Sequence, residues 1–347
     1  MGDTLNFHKS FIIGIYIEAG HVPPLFLFNP GVNMLKNIIA VIGSMFIATS
    51  AFAGEVNGAG ATFPQPIYAK WADSFKKETG STINYQGIGS GAGMKQIDAK
   101  TVTFGATDIP VKPEDLEKKG QVQFPMIVGG IVPIYNLKEV NSLNLNVDIL
   151  AKIYSNKITR WNDKEIAALN LNVNLPDLPI VKIRRSDGSG TTYNFTKFLS
   201  EANADWKKDY GFGASVEWAG NTIGAKGNDG VSNNVYQTNG SIGYVEYAFA
   251  KQNKLTVADM IVPKGGGNTH QFLRVVAGLA AFQTNWPMVA TSYIVMYKDN
   301  EDKEATKTAI KFFEYGFAHD VEAEALDYVP LTDAQKREVK KTLATVK

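Results

Sequence analysis

The chain has 347 residues, with 35 Lys and Arg against 34 Asp and Glu, which gives a formal net charge of +1. This balance provides no general attraction to nucleic acid or to an acidic membrane, so any anion must be held by locally placed groups. The absence of cysteine excludes disulfides, thiolate metal sites and cysteine nucleophiles, and no pair among the four histidines has zinc-site spacing. We therefore expect neither a metal centre nor a cofactor.

The first feature along the chain is a targeting segment, MLKNIIAVIGSMFIATSAFA at 34–53. A lysine precedes an apolar run of signal-peptide length, and A-F-A at its end supplies small residues for cleavage, which predicts export to the periplasm. The alternative is a membrane anchor, but the run is short and is interrupted by a Gly-Ser pair. Residues 1–33 precede this signal and are interpreted as a non-native N-terminal extension or, alternatively, as an atypical leader. The remaining chain has a length typical of about two domains.

After residue 54, short apolar runs alternate with helical patterns, which predicts an α/β architecture. PIYAKWADSFKKETG carries Ile67, Trp71 and Phe75 at helical spacing before Gly80, and so predicts an amphipathic helix with a glycine stop. The predicted strands are STINYQGI, TVTFGATDIP up to Asp108, DLPIVKIRR and the strand-like stretch GSIGYVEYAFAKQN, and the further predicted helices are GAGMKQIDAK and TTYNFTKFLSEAN.

Two apolar segments resemble each other, FPMIVGGIVPIYN at 124–136 and WPMVATSYIVMYK at 286–298. Each has a β-prone run that follows an early Pro-Met pair. One interpretation is that they carry the chain from one lobe to another and back. The alternative is that they are two ordinary core strands.

Three glycine-rich turns share one chemistry: NGAGATFP at 57–64, YQGIGSGAGMK at 85–95 and RRSDGSGTT at 184–192. In each, a hydroxyl residue is predicted to lie at a helix N-terminus, with Thr62 opening a helix from Phe63 and Ser90 capping the second helix. Unpaired N–H groups and the helix dipole favour an anion at such positions. Arg185 could add a bidentate pair to an oxyanion. The alternative for each turn alone is an ordinary capped connection between strand and helix.

The motifs of nucleotide-binding proteins and of serine hydrolases fit this sequence poorly. The pattern of a P-loop is absent, and GIGSGA matches only a loosened dinucleotide-binding pattern. No G-x-S-x-G sequence surrounds Ser90 or Ser189, and with four histidines in the chain a Ser-His-Asp triad is not expected.

Several long strings resemble the phosphate-binding periplasmic proteins of phosphate-specific ABC transporters, which are solute-binding proteins. The similarity runs in order from about Gly58 to Asn253 and resumes at WPMVATSYIVMYKD. The strings that carry it are GAGATFPQPIYAKWADSFKKETG, YQGIGSGAGMKQI, FGATDIP, RRSDGSGTTYNFT, GNDGVSNNV and GSIGYVEYA.

The resemblance implies an α/β fold of two lobes, a type II-like periplasmic binding protein fold with the ligand cleft between the lobes. The expected boundaries are 54–128 for the first part of lobe I, 129–289 for lobe II and 290–347 for the second part of lobe I. The stretch 262–285 is shorter and more apolar than the family pattern at that place.

The resemblance also implies that one phosphate is held by hydrogen bonds alone. Asp108 would accept the proton that phosphate keeps, and Asp187 would pair with Arg185 and orient it. The other implied phosphate-binding groups are Thr62, the Phe63 N–H, Ser90, Arg185, Ser189, the Gly190 N–H and Thr191.

The role of Asp108 also follows from the chemistry of the two anions. Near neutral pH phosphate keeps a proton and sulfate keeps none, so a buried carboxylate would find a donor on phosphate only. Sites built to bond a hydroxyl reject an analogue that lacks it by roughly 10⁴–10⁵. The alternative for Asp108 is an ordinary turn aspartate before Pro110.

The sequence therefore predicts a monomeric periplasmic protein that binds inorganic phosphate and delivers it to the permease subunits of an ABC transporter with its ATPase. It would perform no chemistry and bind no nucleic acid. The alternatives are a binder of another protonated oxyanion, such as arsenate, and an exported phosphatase or phosphoryl-transfer enzyme.

Overall fold

The computed structural model describes residues 55–263, 270–273 and 286–347. The predicted extension at 1–33 and the predicted signal peptide at 34–53 lie outside the described residues, as does most of the 262–285 stretch. In the described ranges, no helix is both long and apolar enough to span a bilayer.

The described strands are β1 (Glu55–Gly60), β2 (Thr82–Gly87), β3 (Phe104–Thr107), β4 (Gln121–Asn136), β5 (Asn144–Asn146), β6 (Val181–Arg185), β7 (Thr222–Ala225), β8 (Ser241–Glu246), β9 (Thr256–Val257), β10 (Asp259–Pro263), β11 (His270–Leu273) and β12 (Val289–Tyr297). The described helices are α1 (Gln65–Thr79), α2 (Ser90–Asp98), α3 (Pro113–Lys119), α4 (Val147–Tyr154), α5 (Lys164–Ala168), α6 (Gly190–Ala202), α7 (Ala204–Asp209), α8 (Gly227–Gln237), α9 (Tyr247–Gln252), α10 (Lys303–Ala318), α11 (Asp320–Glu324) and α12 (Asp333–Leu343).

The main sheet has the strand order β2-β1-β3-β12-β4-β8-β6-β7. We call β1, β2, β3, β12 and residues 121–130 of β4 the first half-sheet, and residues 131–136 of β4 with β6 to β9 the second half-sheet. In the first, β1 pairs in parallel with both β2 and β3. In the second, β6 pairs in parallel with both β7 and β8. Because parallel neighbours end at the same edge, the turns after each set of strands lie together.

Strand β4 joins the two half-sheets. Its residues 121–130 pair with β12, and its residues 131–136 pair with β8. Segment 124–136 therefore contributes to both half-sheets, as the crossing interpretation expects, while its passage between two lobes stays a prediction. The described partners of β12 are β3 and residues 121–130 of β4, so β12 returns the chain to the first half-sheet.

Each half-sheet packs against its own aromatic cluster. On the first, Phe104 and Phe124 contact Phe313 of α10, edge to face, so helix α10 covers that half. On the second, Tyr244 stacks on Phe195 of α6 with ring centroids 4.1 Å apart. Burial of such large rings contributes strongly to the stability of each half.

Two predicted elements need correction. Helix α1 begins at Gln65, not at Phe63, and Pro64 occupies the N-cap position without a side-chain cap bond. The stretch predicted as strand-like at 240–253 is a strand only as far as Glu246 and continues as helix α9. The Glu246 carboxylate accepts the Ala248 N–H over 2.9 Å, and this capping bond starts the helix at that point. The glycine stop at Gly80 is confirmed, with φ +76°.

Candidate anion site

The predicted site residues come together where the two half-sheets meet. Thr62, Ser90 and Asp108 follow β1, β2 and β3 respectively, while Arg185 ends β6 and the Ser189–Thr191 segment begins α6. All of these polar side chains are buried, with at most 3% of their surface exposed. Polar groups are buried in this way only when hydrogen bonds compensate for the lost water.

Only the third turn has the predicted capping geometry. The Ser189 hydroxyl accepts the Thr192 N–H over 3.0 Å and caps α6. The prediction that Ser90 caps its helix is wrong. Gly89, with φ +94°, holds the N-cap position, and Ser90 is the first helical residue. Thr62 likewise makes no capping bond to α1.

The hydroxyls of Ser90 and Thr62 instead accept bonds from Gly190 and Asn228, which open helices after strands of the second half-sheet, and Ser90 also accepts a bond from Asp108 after β3. Ser90 Oγ accepts the Gly190 N–H over 3.1 Å and the Asp108 N–H over 3.3 Å. Thr62 Oγ1 accepts the backbone N–H and the side-chain amide of Asn228, over 3.1 and 2.9 Å. These bonds, with the Gly91 N–H to Gly188 carbonyl bond of 2.9 Å, hold the facing turns in contact.

The positive charge of the site is Arg185, whose side chain is 1% exposed. Its Nε donates to Asp187 Oδ1 over 2.8 Å, its Nη2 donates to Asp187 Oδ2, and its Nη1 donates to Thr191 Oγ1 over 3.3 Å. These bonds leave two of the five guanidinium N–H groups for a ligand. The Arg185–Asp187 pairing expected from the resemblance is therefore present.

The Asp187 carboxylate is stabilised in its charged form. Burial raises its pKa, but the hydrogen bonds and charge of Arg185 and the Gly227 N–H outweigh burial and hold the pKa below its ordinary value. An ionised Asp187 fixes the guanidinium plane and offsets part of its charge.

The pKa of Asp108 is shifted in the opposite direction from that of Asp187. Burial raises its pKa from 3.8 to about 7, against the effects of the nearby Ser292 hydroxyl, the Arg185 charge and the Ser90 hydroxyl. Within the described residues its buried Oδ1 has no hydrogen-bond partner. Its backbone carbonyl accepts the Asn194 amide over 2.9 Å, which holds the turn after β3 in place. Because this unpartnered oxygen lies near the charge of Arg185 and the hydroxyl of Ser90, it favours a ligand that brings a hydrogen-bond donor.

Phe63, predicted to contribute its N–H, is held through its carbonyl. That oxygen accepts the Tyr328 hydroxyl over 2.7 Å, and the same hydroxyl lies 2.9 Å from Glu246 Oε2. Glu246 is fully buried, and burial raises its pKa well above the ordinary value. The bond thus connects the turn after β1, the carboxy-terminal segment and the end of β8.

Sequence reasoning did not assign Asn228, Tyr328 or Glu246 to the site. Asn228 lies in the string GNDGVSNNV, where a glycine and a polar residue follow strand β7 and open a helix. This glycine-and-polar opening of a helix resembles the three turns above, with an amide in place of the hydroxyl, so a search for polar residues in general could have found Asn228. Tyr328 carries no such local signal.

The chemistry of the site is one of hydrogen bonding. In the ranges that the structure describes, no group of three or more His, Asp or Glu side chains could hold a metal ion. The partners found for the Ser90 and Ser189 hydroxyls are backbone N–H groups, not a general base. The arrangement therefore favours binding of an anion over activation of a nucleophile.

Comparison with known proteins agrees with a site that binds an anion. The model of the PBP superfamily domain matches residues 48–319. The phosphate-binding protein PstS of Haemophilus influenzae is 45% identical over 301 residues, covering 81% of this chain and 90% of the relative. The PstS protein of Pasteurella multocida is 44% identical over 316 residues, covering 85% and 91%.

Solved structures show the same fold at lower identity. A high-affinity periplasmic phosphate-binding protein bound with phosphate, PfluDING, has a TM-score of 0.66 at 21% identity, covering 83% of this chain and 93% of that one. A phosphate-binding protein from Stenotrophomonas maltophilia has a TM-score of 0.63 at 20% identity, covering 83% and 94%. The two-lobed periplasmic binding protein fold is thereby confirmed. On the evidence of the superfamily model and of these relatives, the chain belongs to the PBP superfamily and, within it, to the family of the PstS phosphate-binding proteins.

Proposed function

We propose that the protein binds inorganic phosphate with high affinity in the periplasm and delivers it to the permease of a phosphate ABC transporter. The observation that carries this proposal is the buried Asp108 Oδ1, a partnerless acceptor beside a cluster of donors. Phosphate is an anion that keeps a proton, so it can accept hydrogen bonds from the donors and donate one to Asp108.

The proposed ligands are the groups that converge at the meeting of the half-sheets. The donors are the hydroxyls of Thr62, Ser90, Ser189 and Thr191, the Phe63 N–H and the Arg185 guanidinium. The Gly190 N–H bonds Ser90 Oγ, so it would have to share its proton between that oxygen and the anion. Asp108 is the acceptor, and Asp187 supports Arg185. The burial of these side chains favours strong bonds, because water does not compete for the anion's oxygens.

Asp108 would set the selectivity of the site. A monohydrogen phosphate can donate its proton to the carboxylate, whereas sulfate would place an oxygen without a proton against it. Arsenate is protonated like phosphate, so this mechanism does not reject arsenate. Binding of arsenate is the alternative that the same geometry supports.

The proposed lobes are 54–128 with 290–347, and 129–289. Packing of α10 on the first half-sheet supports the return of the chain to lobe I, and β4 would act as a connection between lobes. Phosphate would enter and leave when the bonds between the facing turns break and the lobes separate. In this role the protein would act as a monomer that binds phosphate and docks on the permease, and it would catalyse no reaction.

An exported phosphatase or phosphoryl-transfer enzyme is the other alternative. It would need an activated nucleophile or a bound metal ion. The backbone partners of Ser90 and Ser189 give no support for the first.

The test is calorimetric titration of ligand-free protein with phosphate and then with sulfate at neutral pH. We expect tight one-to-one binding of phosphate and no heat from sulfate. Binding of both anions would refute selectivity by Asp108, and binding of neither by folded protein would refute the phosphate assignment. Release of phosphate from a phosphate ester would support the enzyme instead.

A further inference from the structure

Asn228 connects the two sides of the site. It is the second residue of α8 and is fully buried. Its Nδ2 donates to Thr62 Oγ1 over 2.9 Å and to Thr191 Oγ1 over 3.2 Å. Its Oδ1 accepts the Glu246 N–H over 3.0 Å, which sets the orientation of the amide, because the acceptor must face that N–H.

The bonds made by Asn228 determine what the two threonine hydroxyls can do. A hydroxyl has one proton to donate and two lone pairs with which to accept. Thr62 Oγ1 accepts two bonds, from the backbone N–H and the side-chain amide of Asn228. Thr191 Oγ1 also accepts two bonds, from the Asn228 amide and from Arg185 Nη1. Both hydroxyls have used their acceptor capacity, and each keeps its proton for a further partner.

The Ser90 hydroxyl also has both acceptor positions occupied and its proton free to donate, but without a bond from Asn228. Its Oγ accepts the N–H groups of Asp108 and Gly190. Ser90 is therefore an internal control, since its hydroxyl is set as a donor by backbone groups only.

We propose that Asn228 is a positioning residue that makes Thr62 and Thr191 permanent hydrogen-bond donors toward the bound anion. This inference rests on the proposed function, because it concerns how the same site recognises phosphate. Asn228 does not touch the anion. It prevents the two hydroxyls from turning to accept, so that Asp108 stays the acceptor of the site and the donors need no reorientation on binding.

A purely structural role for Asn228 makes a different prediction. If Asn228 only ties the half-sheets together, its loss would weaken binding without changing which hydroxyl protons reach the anion. The test must therefore observe the hydroxyl protons themselves as well as the affinity.

The experiment compares wild-type protein, Asn228→Ala and Asn170→Ala. Asn170 is a matched control: it is also buried, and its amide donates to the carbonyls of Asn144 and Ile166, outside the site. Phosphate affinity is measured by calorimetry. NMR of the phosphate complex detects through-bond couplings between hydroxyl protons and ³¹P.

In the wild-type complex we expect ³¹P couplings to the hydroxyl protons of Thr62, Thr191 and Ser90, and none to the Asn228 amide. In Asn228→Ala we expect affinity to fall by about 10- to 100-fold, as for one or two weakened hydrogen bonds to a charged group. The couplings of Thr62 and Thr191 should be lost while that of Ser90 remains. Asn170→Ala should bind phosphate like the wild type.

Unchanged couplings of all three hydroxyls in Asn228→Ala would overturn the inference, and so would a coupling between the Asn228 amide and ³¹P. The wild-type spectrum tests the inference even if the alanine variant does not fold, because missing Thr62 and Thr191 couplings there would refute it. Absence of any phosphate binding by folded wild-type protein would instead remove the proposed function, and the inference with it.

Discussion

The Gly190 N–H donates to Ser90 Oγ over 3.1 Å, although the two residues lie 100 positions apart in the chain. A Cβ added at Gly190 would lie 2.6 Å from that oxygen and would also press on the Asp108 side chain. Glycine is needed here for close approach of two turns, since bulk at this position would separate the half-sheets at the site.

This contact predicts that Gly190→Ala weakens phosphate binding. The added methyl group must displace Ser90 or Asp108. A cost of about 1–3 kcal/mol is typical of overpacking, and the same cost to binding corresponds to roughly 5- to 150-fold in affinity. Calorimetry measures the change. Gly230→Ala is the control, because a Cβ there meets its neighbours at ordinary contact distances of 3.6 Å or more. Equal affinity in both variants would contradict the close-approach argument.

Arg185→Ala should weaken phosphate binding by about 3 kcal/mol or more, since it removes charge-assisted bonds and leaves the Asp187 carboxylate without its main partner. Arg184→Ala is the matched control. That neighbouring guanidinium bonds Thr222 Oγ1 and the Arg185 carbonyl instead. Near-wild-type affinity in Arg185→Ala, measured by the same titration, would mean that the anion binds elsewhere.

Asp108→Asn should reduce discrimination between phosphate and sulfate. The amide has nearly the shape of the carboxylate but offers N–H donors, which sulfate can accept. Titration with both anions gives the affinity ratio, and we expect it to fall by at least about tenfold. Asp98→Asn, which changes a surface carboxylate paired with Lys119, should leave the ratio unchanged. A ratio that stays constant in Asp108→Asn would argue against the role of Asp108 as proton acceptor.

Asp108 also predicts how stability depends on pH. Its folded pKa of about 7 lies above the ordinary 3.8, so folding favours the protonated form. The stabilisation is fully present below about pH 4 and is lost as pH rises through about 7, by up to roughly 4 kcal/mol. Ligand-free Asp108→Asn should therefore lose less stability than the wild type across this window. Burial also raises the pKa of Glu246. Glu246 therefore changes the stability of both proteins with pH in the same direction and does not affect the comparison.

Chemical denaturation of both ligand-free proteins at a series of pH values measures this difference. Parallel stability curves from pH 4 to 8 would show that Asp108 does not titrate with a raised pKa in the folded state.

Tyr328→Phe should lower the free energy of unfolding by about 1–3 kcal/mol, because it leaves the Phe63 carbonyl and buried Glu246 without the hydroxyl. Tyr315→Phe is the control, since the Tyr315 hydroxyl bonds Glu78 at the surface. Denaturant unfolding compares the two variants. A loss no larger in Tyr328→Phe than in Tyr315→Phe would show that the buried bond adds nothing to stability.

The sequence by itself determined the features that depend on near neighbours. The alternation of strands and helices, the glycine stop at Gly80 and a hydroxyl residue at the start of the helix after the third turn were predictable, because their bonds join residues within a few positions. The pairing of Arg185 with Asp187, two residues away, was implied by family resemblance and is present. The balanced charge likewise required that any anion be held by local groups.

Only the tertiary structure decided how the hydroxyls of the site are used. Local rules assign Ser90 to cap its own helix, but the fold brings the Gly190 N–H to its oxygen instead. The bonds from Asn228 to Thr62 and from Tyr328 to Phe63 join residues 166 and 265 positions apart. No local pattern encodes such partners, because they meet only after parallel strands align their ends and β4 joins the two half-sheets.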